Sequence, residues 1–218
     1  MNLSELSDDE KMLSYAIGAS KSSGEARHGC APPVRVIGGL ARGRRLHAPS
    51  GRQTRPTSDY LREVLFDLLG QHVAGRSFLD LYAGTGAVGI EALSRGAARA
   101  VFVEHDRSAV AWLQRNLETS GLMGKAEVVP AEVLRYLRRA ASASHQFDMI
   151  FLDPPYRGAD AATALSLIAS KGLLAPAGMV IVERSFHAAS FPAPGAIAQV
   201  REVRHGDSIL ALYRWEAV

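Results

Sequence analysis

The sequence predicts an α/β fold organised around a mostly parallel sheet. Short apolar runs of strand length alternate along the chain with amphipathic segments of helix length, an order that favours parallel strands joined by crossover helices. The apolar run 149–152 ends abruptly in Asp153 and two prolines. Because Pro154 has no N–H to continue a ladder, this strand should stop at Asp153. A glycine-rich turn at 84–89 joins another predicted strand to a helix. Together these features predict strands that are buried on both faces.

We divide the chain into a flexible extension, a small hairpin module and a main domain. Residues 1–33 are rich in Ser, Gly, Ala and charged side chains, a composition typical of segments that do not build a core. Residues 34–55 combine short apolar stretches with glycines that permit turns, which predicts a β-hairpin. The main domain is predicted over 56–218.

The main domain should alternate strands and helices and end in a hairpin. Its first helix should be capped by Thr57 or Ser58 and should end at Gly70. The predicted helices are 59–69, 86–94, 108–119, 131–140 and 161–170. The predicted strands are 78–81, 100–104, 127–129, 147–153, 179–182, 198–204 and 208–215. The turn His205-Gly206-Asp207 joins the last two strands, so they should pair antiparallel at the edge of the sheet.

Positive charge is concentrated in the hairpin module. The whole chain has a formal net charge of +3, whereas the module contains six arginines and no acidic residue, which leaves −3 for the remainder. A cationic module on a near-neutral body suggests a polyanionic partner, and the arginine fork suits the phosphates and bases of RNA. An arginine-decorated edge that resists aggregation is the structural alternative. The predicted RNA-binding residues are Arg35, Arg42, Arg44, Arg45, Arg52 and Arg55.

Composition argues against several other classes of protein. The 218 residues are 47% apolar, enough for a sizeable core. The single cysteine, Cys30, cannot form an internal disulfide, and no Cys/His cluster has ligand spacing, so we expect no metal. No apolar run approaches 18 residues, and the first ten residues are acidic, so we expect neither a membrane span nor a secretory signal. These features predict a cytoplasmic protein without a membrane partner, which we expect to be a monomer.

The glycine-rich turn predicts a site for an adenosine-bearing cofactor. Residues 84–89 spell G-x-G-x-x-G after a strand and before a helix, and Glu104 ends the next strand 20 residues beyond Gly84. Glycines let the backbone approach a ligand closely, helix N–H groups receive an anionic group, and the acid accepts hydrogen bonds from ribose hydroxyls. This pattern alone fits a nicotinamide dinucleotide as well as S-adenosylmethionine.

Asp80 favours S-adenosylmethionine over the dinucleotide. It lies within the strand, four residues before Gly84, where its carboxylate can receive the methionine ammonium group while loop amides hold the methionine carboxylate. A dinucleotide places a pyrophosphate there, which an anion would repel. A carboxylate that braces the loop or caps the helix is the structural alternative.

The tetrapeptide Asp153-Pro154-Pro155-Tyr156 predicts the substrate half of the site. Ligands of open α/β sheets bind at the carboxyl ends of the strands, and this segment directly follows a strand. We expect the Asp153 carboxylate and the Pro154 carbonyl to accept the two protons of an exocyclic amine, and Tyr156 to stack on the base. A simple strand terminator is the alternative. The predicted catalytic residues are Asp153, Pro154, Pro155 and Tyr156.

Several motifs occur together, in order, over residues 34–216. They are Arg35-Val36-Ile37-Gly38-Gly39, Arg42-Gly43-Arg44, Arg55-Pro56-Thr57, Arg62-Glu63, the strand and loop from Leu79 to Gly86, the run from Gly89 to Ala97, Glu104 with Asp106, Asn116-Leu117 and Asp153-Pro154-Pro155-Tyr156. In this combination the chain resembles the bacterial 16S rRNA guanine 2-amino methyltransferases of the RsmD type, a family of Rossmann-like S-adenosylmethionine-dependent methyltransferases. The resemblance implies a three-layer sandwich with a seven-stranded sheet whose final strand is reversed, and an N-terminal hairpin that grips ribosomal RNA. It also implies a substrate: 16S rRNA within the small ribosomal subunit or a late assembly intermediate.

The resemblance bears on the cofactor contacts as well. After the third predicted strand the chain reads Pro130-Ala131-Glu132, where the family more often offers Asp or Asn to the adenine amino group. Glu132 departs from that pattern, and we expect the Ala131 backbone to supply part of the contact. With the residues argued above, the predicted cofactor-binding residues are Asp80, Tyr82, Ala83, Gly84, Gly86, Glu104, His105, Ala131, Glu132, Asp153 and Thr57.

Two other functions remain open at this point. The tetrapeptide 153–156 also fits methylation of the adenine 6-amino group in RNA or DNA, although 218 residues leave no room for a sizeable DNA-recognition domain. A non-catalytic RNA-binding assembly factor could keep the same fold, but the presence of Asp80, Gly84, Glu104 and Asp153 argues against it. A nicotinamide-dependent enzyme is a distant third candidate.

Overall fold

The structure of the protein is a computed structural model that describes residues 34–48, 59–140, 146–154, 158–188 and 196–216. The predictions that concern the extension 1–33 therefore lie outside the described residues. The same holds for Arg52, Arg55, Thr57, Pro155 and Tyr156.

The predicted α/β fold is confirmed. Seven strands form one sheet: β1 (Ser77–Leu81), β2 (Arg99–Glu104), β3 (Ala126–Pro130), β4 (Phe147–Leu152), β5 (Leu174–Ser185), β6 (Ile197–His205) and β7 (Ser208–Trp215). The α-helices are α1 (Asp59–Leu69), α2 (Ala87–Ser94), α3 (Arg107–Ser120), α4 (Val133–Arg139) and α5 (Gly158–Ser170). A 3-10 helix (Gly70–Val73) follows α1. Among these helices, none is long and apolar enough to cross a membrane.

The strand order is β3-β2-β1-β4-β5-β7-β6. The first five strands are parallel, and β7 pairs antiparallel with both β5 and β6. The reversed final strand and the edge hairpin are thus as predicted. Because β1 lies between β2 and β4, Leu81 is paired with both Val103 and Leu152. The carboxyl ends of the three central strands consequently meet at one edge of the sheet.

Apolar side chains that point alternately to the two faces of the sheet form a hydrophobic core on each face. Phe78 and Phe102 pack on one face with residues of α1, α2 and α3, including Phe66, Ile90 and Leu113. The neighbouring residues Leu79 and Val101 belong to the opposite core, which includes Leu137 of α4 and Leu165 of α5. Since successive strand side chains point to opposite faces, this pattern produces the three layers that the sequence predicts.

Three of the differences between the observed and the predicted element boundaries have local reasons. Helix α2 begins at Ala87 rather than Gly86 because Gly86 has φ +87°, in the left-handed region. Helix α4 begins at Val133 because the Glu132 side chain accepts hydrogen bonds from the N–H groups of Leu134 and Arg135 and so caps the helix. Strand β5 starts at Leu174, before the predicted 179, because an irregular pairing carries it across residues 175–178.

Candidate active site

The sheet brings the two predicted halves of the site together. Asp80 lies on β1, where it is paired in register with Phe102 of β2 and Phe151 of β4. Glu104 is the last residue of β2. Asp153 follows β4 directly, and its N–H lies 3.4 Å from the carbonyl oxygen of Leu81. The three acids therefore stand on adjacent strands at the carboxyl edge of the sheet, where α/β folds bind their ligands.

The loop between β1 and α2 is shaped by positive backbone angles. Tyr82, Gly84 and Gly86 have φ values of +63°, +55° and +87°. A Cβ atom on Gly86 would lie 2.2 Å from the Cδ1 atom of Leu113, so only glycine fits there. Tyr82 is the single residue other than glycine with positive φ in the described part of the chain. Such conformations cost free energy and are concentrated at ligand-binding turns.

Asp80 is almost fully buried beneath this loop. Its Oδ2 atom accepts a hydrogen bond of 2.8 Å from the N–H of Gly89 in α2, so the bracing role that the sequence allowed is present. Burial raises the pKa of Asp80 to about 7, the Gly89 hydrogen bond lowers it, and the charge of Glu104 raises it. A cationic ligand group would favour the ionised carboxylate.

The Glu104 carboxylate is hydrogen-bonded both to the turn after β2 and to the glycine loop. Its Oε1 atom accepts hydrogen bonds from the N–H groups of His105 (2.7 Å) and Asp106 (2.8 Å). Its Oε2 atom accepts one from Gly84 (2.8 Å). A carboxylate offers about four acceptor positions, so Oε2 keeps capacity for a ligand hydroxyl. The side chain of His105 is 70% exposed beside it.

Asp153 is surrounded by other acids. Burial raises the pKa of Asp153 well above its ordinary value, and the negative charges of Glu183 and Asp80 raise it further. Glu183 lies on β5, one residue beyond Val182, the partner of Leu152. Arg184, the next residue of β5, pairs with Glu202 at 2.9 Å. Sequence reasoning did not select Glu183 as a site residue, although its position at the carboxyl end of a parallel strand could have identified it.

The predicted adenine side of the site lies around the turn after β3. The Ala131 N–H donates to the Glu104 carbonyl oxygen (2.9 Å), and the Glu132 carboxylate caps α4. The buried Tyr82 hydroxyl has no hydrogen-bond partner among the described residues, and burial raises the pKa of Tyr82 to about 12, helped by the charges of Asp160 and Glu132. A groove of about 470 Å³ lies beside this turn, lined by Val129, Pro130, Ala131, Arg135, Tyr136, Arg139 and Ala140.

The hairpin module is anchored on the far end of α2. One antiparallel bridge, Arg35 to Arg45, closes it. The fully buried Glu91 accepts hydrogen bonds from the N–H groups of Ile37 (2.7 Å) and Gly38 (2.8 Å). Sequence reasoning missed this anchor, although a charged residue on an otherwise apolar helix is a detectable signal. The predicted RNA-binding residues Arg35, Arg42, Arg44 and Arg45 are all exposed.

Asn116 of α3 connects the module with the glycine loop. Its Oδ1 atom accepts a hydrogen bond from the His47 N–H (2.8 Å), and its Nδ2 atom donates to the carbonyl oxygens of His47 (2.9 Å) and Thr85 (3.0 Å). The side chain is fully buried. The end of the module is thereby tied to the loop on which the predicted cofactor site depends.

Comparison with known proteins shows the family of this chain. A family profile described as Conserved hypothetical protein 95 matches residues 34–214. Ribosomal RNA small subunit methyltransferase D of Escherichia coli K12 is 35% identical over 190 residues, which cover 87% of this chain and 94% of the relative. The chain belongs to the RsmD family.

Other members of the RsmD family give a consistent result. The Haemophilus influenzae protein of the same name is 38% identical over 69% of this chain and 78% of its own length. The solved structure of yhhF from Escherichia coli superposes with a TM-score of 0.75 and is 33% identical, covering 86% of this chain and all of that one. The resemblance inferred from the motifs is therefore confirmed.

Proposed function

We propose that this protein is an S-adenosylmethionine-dependent methyltransferase that modifies the exocyclic 2-amino group of a guanine in 16S rRNA. The observation that carries the proposal is the adjacency of Asp153, which directly follows β4, to the loop site formed by Asp80, Gly84 and Glu104. Relatives named as small-subunit rRNA methyltransferases support the RNA substrate. We place the substrate in the small ribosomal subunit or a late assembly intermediate.

The residues of the loop site fit the proposed cofactor. Burial raises the pKa values of Asp80 and Asp153, and the charges of neighbouring acids raise them further, so the site favours a ligand that brings positive charge. Asp80 would hold the ammonium group, the Gly84 and Gly86 backbone would line the amino-acid portion, and Glu104 would accept a ribose hydroxyl. When bound, S-adenosylmethionine supplies an electrophilic methyl group on a positively charged sulfur.

Asp153 and Pro154 would orient the amine. The lone pair of a guanine 2-amino nitrogen is delocalised into the ring, so the nitrogen is a weak nucleophile. Two acceptors, the Asp153 carboxylate and the Pro154 carbonyl, favour a pyramidal nitrogen with an available lone pair. Such orientation can contribute up to roughly 7 to 11 kcal/mol. The raised pKa of Asp153 also suits it to take the proton that the amine releases and to pass it to water. The stacking role of Tyr156 stays a prediction.

The test combines activity with mapping of the product. Small subunits that lack the modification are incubated with labelled S-adenosylmethionine and the protein, and the modified nucleotide is identified by mass spectrometry. We expect one N2-methylguanine in 16S rRNA. Label on adenine, in RNA or DNA, would favour the amino-methyltransferase of adenine instead. Tight cofactor binding without any transfer to subunits would favour a non-catalytic assembly factor.

A further inference from the structure

We propose that an exposed aromatic surface beside the candidate site binds unpaired nucleotides that flank the target base. This surface, the aromatic rim, consists of Tyr60, Phe186, Arg204 and His205. The identity of the partner as RNA rests on the proposed function.

The strand pairing places the aromatic rim at the same edge of the sheet as Asp153. Phe186 follows the last residue of β5 and lies three residues beyond Glu183, about 10 Å along an extended chain. Ser185 at the end of β5 is paired with Ser208 at the start of β7, and the same Ser208 is paired with His205. The turn between β6 and β7 therefore lies against the end of β5.

Contacts within the aromatic rim hold each ring in place. The rings of Tyr60 and His205 are in contact, with centroids 4.1 Å apart and an interplanar angle of 32°. The Arg204 guanidinium lies 3.3 Å from the centroid of the Phe186 ring. The Phe186 N–H donates a 2.8 Å hydrogen bond to the Asp207 carbonyl oxygen. Because these contacts already order the side chains, little conformational entropy would be lost when a ligand binds.

The rings nevertheless leave large surfaces in contact with solvent. Tyr60 is 50% exposed and Phe186 is 41% exposed. The described chain has four exposed large apolar residues, and both of its aromatic members lie in the aromatic rim, whereas Leu40 and Val200 lie elsewhere. Aromatic faces adjoining an arginine and an imidazole are the groups on which unstacked bases lie in RNA-binding proteins. Enzymes that act on an extruded base also contact the nucleotides that flank it.

The test removes the aromatic faces while keeping apolar bulk. The double variant Tyr60→Leu/Phe186→Leu is compared with Tyr60→Phe/Phe186→Tyr, which preserves both rings, and with Val200→Ala as a control on exposed apolar surface. The measurements are the Kd for small subunits lacking the modification, the KM and kcat of methyl transfer, the Kd for S-adenosylmethionine and the melting temperature. Photo-crosslinking with 4-thiouridine-substituted 16S rRNA then identifies the contacted peptides.

We expect the Leu variant to raise the Kd and KM for subunits about tenfold or more, with kcat, cofactor affinity and melting temperature unchanged. The ring-preserving variant and Val200→Ala should stay within twofold of the wild type, and crosslinks should fall on peptides that contain Tyr60 or Phe186. If the wild type methylates subunits and the Leu variant binds them equally well, the aromatic rim is not an RNA surface, while the proposed function stands. If the wild type binds subunits and transfers no methyl group, but the Leu variant binds more weakly, the proposed function fails and the aromatic rim stands. A wild type that binds no small-subunit RNA would overturn both.

Discussion

At the scale of single residues, the proposed role of Asp80 predicts that cofactor binding depends on pH. Its pKa of about 7 in the folded protein means that the carboxyl group is partly protonated near neutral pH, whereas a bound ammonium group favours the ionised form. Affinity for S-adenosylmethionine should therefore rise on the order of tenfold between pH 6 and 8, with release of a proton. Calorimetry in two buffers of different ionisation enthalpy measures that release. Asp80→Asn should abolish the proton release, and the exposed control Asp67→Asn should keep it. Equal binding enthalpies in both buffers for the wild type would contradict the proposed role of Asp80.

The same pKa shift affects the stability of the protein without ligand. The pKa of Asp80 is raised from 3.8 to about 7, so protonated Asp80 stabilises the fold at low pH and this contribution is lost as the pH rises through 7. The loss is on the order of 4 kcal/mol. Denaturant unfolding at pH 5 and pH 8 should show that Asp80→Asn gains stability relative to the wild type at the higher pH. If the difference in stability between Asp80→Asn and the wild type were the same at both pH values, Asp80 would already be ionised in the folded protein at pH 5.

Asp153 should matter far more for turnover than for cofactor binding. Asp153→Asn keeps the size of the side chain and loses the negative charge that accepts the amine protons, so kcat should fall at least about 100-fold. The Kd for S-adenosylmethionine should change by no more than a few fold, because the proposed contacts to the ammonium group and the ribose are made by Asp80 and Glu104. Single-turnover methylation and calorimetry measure the two effects. A variant with near wild-type turnover would exclude this role.

At the scale of elements, α2 connects the cofactor loop to the hairpin module. It begins just after Gly86 and carries the buried Glu91, whose carboxylate accepts from Ile37, Gly38 and the Arg95 Nε atom (2.7 Å). Glu91→Ala should destabilise the protein by about 3 kcal/mol, because buried donors lose their partner. It should weaken subunit binding more than cofactor binding. Urea unfolding measures the first effect, with the exposed Glu118→Ala as control; a loss within 0.5 kcal/mol would mean that the module does not depend on this anchor.

Asn116 tests the connection between the module and the glycine loop. Asn116→Asp keeps the acceptor for the His47 N–H and loses both donated bonds, whereas Asn116→Ala loses all three. Each variant should lower the affinity for S-adenosylmethionine, since the Thr85 carbonyl is released, and Asn116→Ala should cost about 1–3 kcal/mol of stability. The exposed neighbour Gln114→Ala is the control. Unchanged cofactor affinity in both variants would show that the loop keeps its shape without this support.

Regular elements were predictable from the sequence because their apolar periodicity is local. Helix α1 has its predicted bounds, 59–69, and β4 lies within one residue of its predicted end. The boundary of α4 was not predictable by periodicity, because the capping side chain of Glu132 decides it. The contacts of Glu91 and Asn116 with the hairpin module join residues 53 to 69 positions apart, and the apolar pattern holds no information about such pairs.

At the scale of the whole molecule, the sheet order explains which part of the site the sequence contained. The sequence shows acidic residues near the ends of the predicted strands, and a parallel sheet brings such ends together. It was therefore possible to predict that Asp80, Glu104 and Asp153 belong to one site. The aromatic rim could not be predicted in this way, because it depends on the antiparallel pairing of β5 with β7 and on the contact of Tyr60, from α1, with His205. Local motifs therefore predict the chemistry of the site, whereas the register between distant strands determines which side chains surround the site.

The uneven distribution of charge over the molecule leads to a prediction about salt. If Arg42 and Arg44 of the module contact phosphates, each contact contributes about 0.7 to 0.9 to the slope of log Kd against log salt concentration. The double variant Arg42→Gln/Arg44→Gln should therefore reduce that slope by about 1.5 for small subunits, and leave S-adenosylmethionine binding unchanged. Filter binding between 50 and 200 mM salt measures the slope. Arg76→Gln is the matched control, because Arg76 lies outside the module, directly before β1, and pairs with Asp148 at 3.1 Å. An equal slope for the double variant and the wild type would assign the exposed arginines of the module to solubility rather than RNA binding.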